Sequence, residues 1–163
     1  MSREAKAMKR VDATTLIPPS LDAGRNSETL LAFDFGERHI GVAVGDTETR
    51  MAHALAPVGG SNPAARLAAI EPLVNEWHPA RLVVGLPLAL DGGEQESSAR
   101  ARRFARQLAA RFHLPVELAD ERLSSASAEE GLREAGRGGR KNKQLIHGEA
   151  ARLILQGYLN ETA

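Results

Sequence analysis

The stretch Leu30-Leu31-Ala32-Phe33-Asp34-Phe35-Gly36-Glu37-Arg38-His39-Ile40-Gly41-Val42-Ala43-Val44-Gly45-Asp46 constrains the fold more than any other part of the chain. Two apolar runs meet at the short turn Gly36-Glu37-Arg38-His39. Apolar runs of this length bounded by glycines read as two buried strands of a hairpin. The first run carries one carboxylate, Asp34. An ionised aspartate inside a buried strand is costly unless a metal ion, a cation or a dense set of donors compensates it. The alternative places Asp34 at the strand's end, accepting backbone N–H bonds across the turn. Buried charges are rarely tolerated without a partner, so Asp34 is the first candidate functional residue.

The chain's 163 residues suit one domain with a sizeable core. Lys+Arg and Asp+Glu both total 21, so no global charge imbalance points to nucleic acid. A local basic patch would still suffice for phosphate contacts. The absence of cysteine excludes disulfides and thiolate metal sites and fits a reducing cytosol. No segment approaches a transmembrane helix in length, and the N-terminus shows no apolar core followed by a cleavage site. A cytoplasmic protein without a membrane partner is expected. Residues 1–27 mix charge, Thr14-Thr15 and Pro18-Pro19 without periodicity, and read as a flexible N-terminal extension to a domain over 28–163.

Beyond the hairpin, Met51 to Val58 predicts a third strand, giving an antiparallel meander. Asn62-Pro63 opens a helix with Leu67, Ile70, Val74 and Trp77 on one face, ended by Pro79. Arg81-Leu82-Val83-Val84-Gly85-Leu86 reads as a fully buried strand of a parallel sheet covered by helices. Past the loop Asp91-Gly92-Gly93-Glu94, a long helix buries Ala101, Phe104, Ala105, Leu108 and Phe112. Its Arg100, Arg102, Arg103 and Arg106 read as a solvated face. Leu114 to Ala119 is a fifth strand ending in Asp120-Glu121-Arg122, where α/β folds place their sites. Solvation and an ion pair with Arg122 are the plain reading of those two acids. Ser124 and Ser125 can cap a helix running to about Ala135.

The segment Gly136-Arg137-Gly138-Gly139-Arg140-Lys141-Asn142-Lys143 is glycine-rich and carries four cations with no acid, suiting a mobile segment that orders on phosphates. In the last helix His147, Ala150, Ala151, Ile154 and Tyr158 share one stripe. A histidine heading such a stripe is ordinarily a core residue. It becomes a ligand candidate only if its face meets Asp34 and Glu121.

The order βββ-α-β-α-β-α-α with an acid in the first strand is the layout of the ribonuclease-H-like α/β fold. That fold is a five-stranded mixed sheet, a three-strand antiparallel meander then parallel strands, with helices on both faces. The hairpin Leu31–Gly45, the block Val83-Val84-Gly85-Leu86-Pro87 with Asp91-Gly92 and Glu94-Gln95, the block Asp120-Glu121-Arg122-Leu123-Ser124 and the ending Ala150–Tyr158 resemble the YqgF/RuvX family. These small bacterial proteins are described as pre-16S rRNA nucleases and, earlier, as Holliday-junction resolvases. The resemblance runs from about Thr29 to Asn160 with four blocks in order, which makes it specific.

It implies metal-dependent phosphodiester hydrolysis. Asp34 matches the first-strand catalytic aspartate and Glu121 the second acid. The family's third acid, an aspartate entering the last helix, reads here as His147. Glu149, two residues on, points to a different helical face. In a two-metal mechanism carboxylates hold two Mg²⁺ or Mn²⁺ ions about 4 Å apart, one activating water and the other stabilising the leaving oxygen. Asp34, Glu121 and His147 are then the catalytic and metal-holding residues. Imidazole is a poor partner for hard Mg²⁺ but acceptable to Mn²⁺, so Mn²⁺ is favoured. His147 could also act as the base for water or as a donor to the leaving oxygen. Arg38, Arg122, Arg137, Arg140, Lys141 and Lys143 are the expected substrate-binding cations.

Three readings compete. The first is a nuclease acting on structured RNA, in 5′-end maturation of pre-16S rRNA on a ribosomal precursor particle, with branched DNA as a resolvase-like alternative. The second is an actin-like ATPase or sugar kinase, whose phosphate loop also uses Asp-x-Gly in a hairpin; one such domain is too few to clamp nucleotide. The third is a non-catalytic RNA-binding ribosome-assembly protein that lost an acid at His147. Aromatic residues make up only 4% of the chain, so shape and backbone contacts to a duplex or junction are favoured over base stacking. Junction resolution needs paired sites, and nothing in the sequence marks a dimer face; a monomer or weak dimer is expected.

Overall fold

In a computed structural model, which describes residues 27–121 and 140–162, the apolar hairpin forms as β1 (Thr29–Asp34) and β2 (His39–Asp46). The two pair antiparallel, with Asp34 opposite Gly41. An edge strand, β3 (Ala52–Gly59), completes the meander. Helix α1 (Pro63–Trp77) follows, with Asn62 as its N-cap accepting from the Ala65 N–H at 2.8 Å and Pro63 in the first turn, where a missing N–H costs nothing. Both α1 and the next helix end at a histidine in the left-handed region, His78 and His113. Then come β4 (Arg81–Leu86), α2 (Glu96–Phe112), β5 (Val116–Asp120) and α3 (Arg140–Glu161). The sheet order is β3-β2-β1-β4-β5, with β4 parallel to both β1 and β5.

Both faces of the central strands are covered, which is why they read as continuous apolar runs rather than alternating ones. Leu31, Phe33, Val42, Leu82 and Val84 pack against Ile70 of α1 and Phe104 and Leu108 of α2. Phe33 and Phe104 meet edge to face at 5.9 Å. Leu30, Ala32, Ala43 and Val83 pack instead against Ala151, Ile154, Leu155 and Leu159 of α3. Side chains alternate across a strand, so Asp34, in step with Leu30 and Ala32, faces α3.

Pro57 inside β3 has a local cause. The β2–β3 register shifts between Ile40 and Val42, so Ala56 and Pro57 together stand opposite Gly41. A bulge on an edge strand is one of the few places in a sheet that tolerates a missing N–H.

Two sequence expectations change. Arg140 to Lys143 are helical rather than part of a glycine-rich loop, because from Arg140 to His147 the chain holds mostly good helix formers and neither glycine nor proline. Two of the α2 arginines are ion-paired rather than merely solvated, Arg102 with Glu94 at 2.7 Å and Arg100 with Glu96 at 2.9 Å and Glu37 at 3.3 Å. The extension over 1–26, the helix expected over 124–135 and residues 136–139 lie outside the described residues. No helix among the described residues is long and apolar enough to cross a membrane.

Candidate active site

The strand ends of β1 and β5 bring two acids together across β4. Asp34 closes β1, and Glu121 follows β5 directly, its N–H donating to the Leu86 carbonyl at 3.2 Å. Pairing of Leu86 with Asp120 and Gly85 with Ala119 sets the alternation. Leu118 and Asp120 therefore point toward the α2 face, while Ala119 and Glu121 point toward α3 and share the face of Asp34. Between the acids lies Gly85. A Cβ there would overlap Glu121 Oε2 and stand 2.5 Å from Ile154 Cδ1, so the carboxylate of Glu121 fills the place of the missing side chain.

Asp34 is buried, at 9% exposure. Burial pushes its carboxyl above the ordinary aspartate value, while a hydrogen bond with Glu121 and the charge of His147 pull it partly back. The Glu121 carboxyl is pushed up to about 9 by burial, by the charge of Asp34, by their shared hydrogen bond and by Asp120. Glu121 thus carries the proton and donates it to Asp34. Its Oε2 is buried and lacks a hydrogen-bond partner among the described residues. A buried acceptor without a donor costs free energy that an incoming cation would recover. The donor set, two carboxylates with an orphaned oxygen between them, fits a hard divalent cation.

His147 reaches this site from α3. The helix approaches β2 so closely that any Cβ at Gly41 would strike the His147 carbonyl. His147 Cε1 lies 4.0 Å from where a Cβ at Gly36 would be, in the turn directly after Asp34. The ring is partly buried, and its centroid lies 6.0 Å from that of His39. His147 thus stands near enough to Asp34 for its charge to act there, while among the described residues nothing joins it to Glu121, so only the Asp34 half of the condition is seen. Among the described residues, no group of three ligating side chains converges on one point.

Of the expected substrate-binding cations, Arg38 is exposed in the turn between β1 and β2. Arg140, Lys141 and Lys143 fall in the first turn of α3, which contains no acid. Arg122 and Arg137 lie outside the described residues.

Three residues of the site region escaped the sequence. Gly85 carried a signal, since glycine inside an otherwise buried strand marks a close approach. His39 carried one too, being two positions from Gly41 and so on its face. Ser98 carried none. It is fully buried, accepts the Gln95 N–H at 2.8 Å and donates to the Pro87 carbonyl, tying the exit of β4 to the start of α2.

A family model described as "RuvX: Holliday junction resolvase" matches residues 28–161. A Burkholderia lata protein named "Putative pre-16S rRNA nuclease" is 48% identical over 139 residues, covering 85% of this chain and 93% of its own. A Chromobacterium violaceum protein of the same name is 52% identical over 132 residues, covering 80% and 96%. Among solved structures, the fowlpox virus Holliday junction resolvase superposes with a TM-score of 0.53 at 9% identity, over 83% of this chain and 99% of that one. Thermus thermophilus RuvC in complex with its Holliday junction substrate gives 0.50 at 17%, over 82% and 95%. At these identities the structural likeness speaks for the ribonuclease-H-like fold alone.

Proposed function

The chain belongs to the RuvX family, and on that premise we propose that it is a divalent-metal-dependent nuclease that hydrolyses phosphodiester bonds in structured RNA, in the 5′-end maturation of pre-16S rRNA. The observation that carries this is the meeting of Asp34 and Glu121 over Gly85, with Glu121 Oε2 buried and unpartnered. A protein gains nothing in stability from two buried acids forced to share a proton. The pair is explained by a cation that replaces that proton.

Asp34, Glu121 and His147 would hold the ion. Bound there, Mg²⁺ or Mn²⁺ supplies the Lewis acidity that activates water and stabilises the departing oxygen. Asp34 is fixed by β1, which is paired on both sides, and so presents its oxygens in a constant direction. Glu121, whose carboxyl is pushed up to about 9, would have to give up its proton to hold the ion. His147, near Asp34, would accept a proton from the attacking water or offer a nitrogen donor, and the latter favours Mn²⁺ over Mg²⁺. Phosphates on either side of the scissile bond would be gripped by Arg38, Arg122 and Arg137, and by Arg140, Lys141 and Lys143 at the start of α3. Cations without an acid at the positive end of a helix repel its dipole, and a bound phosphate relieves that.

RNA is preferred as substrate because relatives near half identity carry a pre-rRNA name. The junction-resolving structures are too dissimilar in sequence to pass on a substrate. The test is cleavage of a model precursor-rRNA duplex, and of a four-way DNA junction, with Mn²⁺, Mg²⁺ or EDTA. Wild type should cut RNA in Mn²⁺ and lose cleavage in EDTA and in Asp34→Asn, while His147→Asp should shift preference toward Mg²⁺. Cutting by Asp34→Asn would overturn the reading. A silent wild type with a cutting His147→Asp variant would assign the protein to RNA binding without catalysis.

A further inference from the structure

The turn that follows Asp34 is held from the side of the sheet opposite α3. Phe35, the next residue, packs on Phe104 of α2 with ring centroids 4.8 Å apart. The guanidinium of Arg66, from α1, stands 5.4 Å from the centroid of the Phe35 ring and donates to the Glu37 carbonyl at 3.3 Å. Arg100, from α2, pairs with the Glu37 carboxylate at 3.3 Å and with Glu96 at 2.9 Å. One short turn thus draws an arginine from each of two helices, and both meet at Glu37.

Stability does not account for this arrangement. The Glu37 side chain is 68% exposed and that of Arg100 40%. An ion pair so exposed contributes little to the fold and is readily exchanged for a better anion. Arginine suits the exchange, because its planar fork of five donors grips two oxygens of a phosphate at once. Among the described residues Arg66 makes one hydrogen bond, so most of its donors face solvent. Glu37 stands three residues past Asp34, no more than about 11 Å of extended chain away. We propose that Arg66 and Arg100 grip a backbone phosphate of the RNA flanking the scissile one, and that Glu37 occupies their donors until the RNA arrives. The RNA strand then crosses the end of β1, with the reacting phosphate on the α3 side at Asp34 and its neighbour on the side of α1 and α2. The inference rests on the reading of Asp34 and Glu121 as the place of cleavage.

The test is RNA binding without cleavage. Fluorescence anisotropy of a labelled model precursor-rRNA duplex, in EDTA and over a range of salt, compares wild type with Arg66→Ala, Arg100→Ala, Glu37→Gln and Glu71→Gln. Each arginine variant should bind about fivefold or more weakly at about 0.15 M salt, and its salt slope should fall by about one. Glu37→Gln should bind about two- to fivefold more tightly, because the phosphate no longer competes with a carboxylate. Glu71→Gln frees Arg111 in the same way at the far end of α2, about 16 Å from Arg100, and should change nothing. Adding Glu37→Gln to Arg100→Ala should remove most of the gain. A purely structural latch would weaken binding in all three variants of the turn, and that result overturns the proposal, as does an affinity indifferent to them. Opposite shifts in a protein that cuts no RNA would keep the phosphate grip and remove the nuclease. Cleavage that needs Asp34 beside an affinity indifferent to Arg66, Arg100 and Glu37 would do the reverse.

Discussion

Position 85 lies in a strand buried on both faces, where a valine or isoleucine would ordinarily pack, and there the side chain is absent and the Glu121 carboxylate takes its room. The reason is steric rather than conformational, so the effect of adding one methyl can be compared between sites. At Gly157, on α3, nothing lies within 4 Å of a built Cβ. Gly157→Ala should therefore stabilise the protein by about 0.5–1 kcal/mol, the usual gain in a helix. Gly85→Ala should destabilise it by about 1–3 kcal/mol through overpacking against Glu121 and Ile154. It should also weaken divalent-cation affinity by displacing the Glu121 carboxyl. Urea denaturation with a metal titration of both variants checks the pair of signs; a stabilising Gly85→Ala would mean that Glu121 does not sit there.

Helix α3 is the element that converts a sheet end into a site, because it carries His147, and its seating is set far from that residue. Leu155 and Leu159 bury against the sheet. Gln156 accepts the Ala52 N–H at 3.1 Å and donates to the Arg50 carbonyl at 2.7 Å, holding the start of the edge strand. Tyr158 donates to Glu117 Oε1 at 2.8 Å, and Arg81 bonds the Tyr158 hydroxyl at 3.3 Å while pairing with Glu117 at 2.8 Å and Glu28 at 3.0 Å. Tyr158→Phe keeps the packing and removes this clamp. It should cost about 1 kcal/mol in thermal unfolding, read against an unchanged far-ultraviolet circular dichroism spectrum. Cleavage should be nearly unaffected, since the clamp lies about three turns of helix from His147. From the sequence, Tyr158 was legible as one more member of a stripe. Its partners were not, because Glu117 is 41 residues away and only the sheet order brings β5 beneath α3. The Arg102–Glu94 pair was hidden as well, because the two are eight apart across a helix start whose geometry depends on buried Ser98.

Across the whole molecule, the order of elements along the chain and the burial of the central strands followed from apolar runs and punctuation, and Asp34 stood out because a charge interrupts such a run. The site did not follow so directly, since Glu121 had a plain alternative in solvation until Gly85 and Asp34 were seen beside it. That juxtaposition also makes the stability of the entire fold depend on pH and metal. Glu121 titrates near 9 when folded and near the ordinary glutamate value of 4.5 when unfolded. Between those values the native state holds a proton that the unfolded state has lost. Stability therefore falls as pH rises through that window, and the raised value of Asp34 acts with the same sign at lower pH. The loss across the window is on the order of a few kcal/mol, several degrees in Tm. Without divalent cations, wild type should lose Tm from pH 5 to pH 9 more steeply than Glu121→Gln, which has no proton to give up and should be the more stable protein at pH 9. A cation that binds the ionised pair reverses this, adding about 2.7 kcal/mol at a hundred times its Kd. Mn²⁺ should therefore raise Tm more at pH 8 than at pH 6 in wild type, and less in Glu121→Gln. Parallel pH profiles of the two proteins, with and without Mn²⁺, would show that the shared proton between Asp34 and Glu121 is not what the fold gives up when it binds metal.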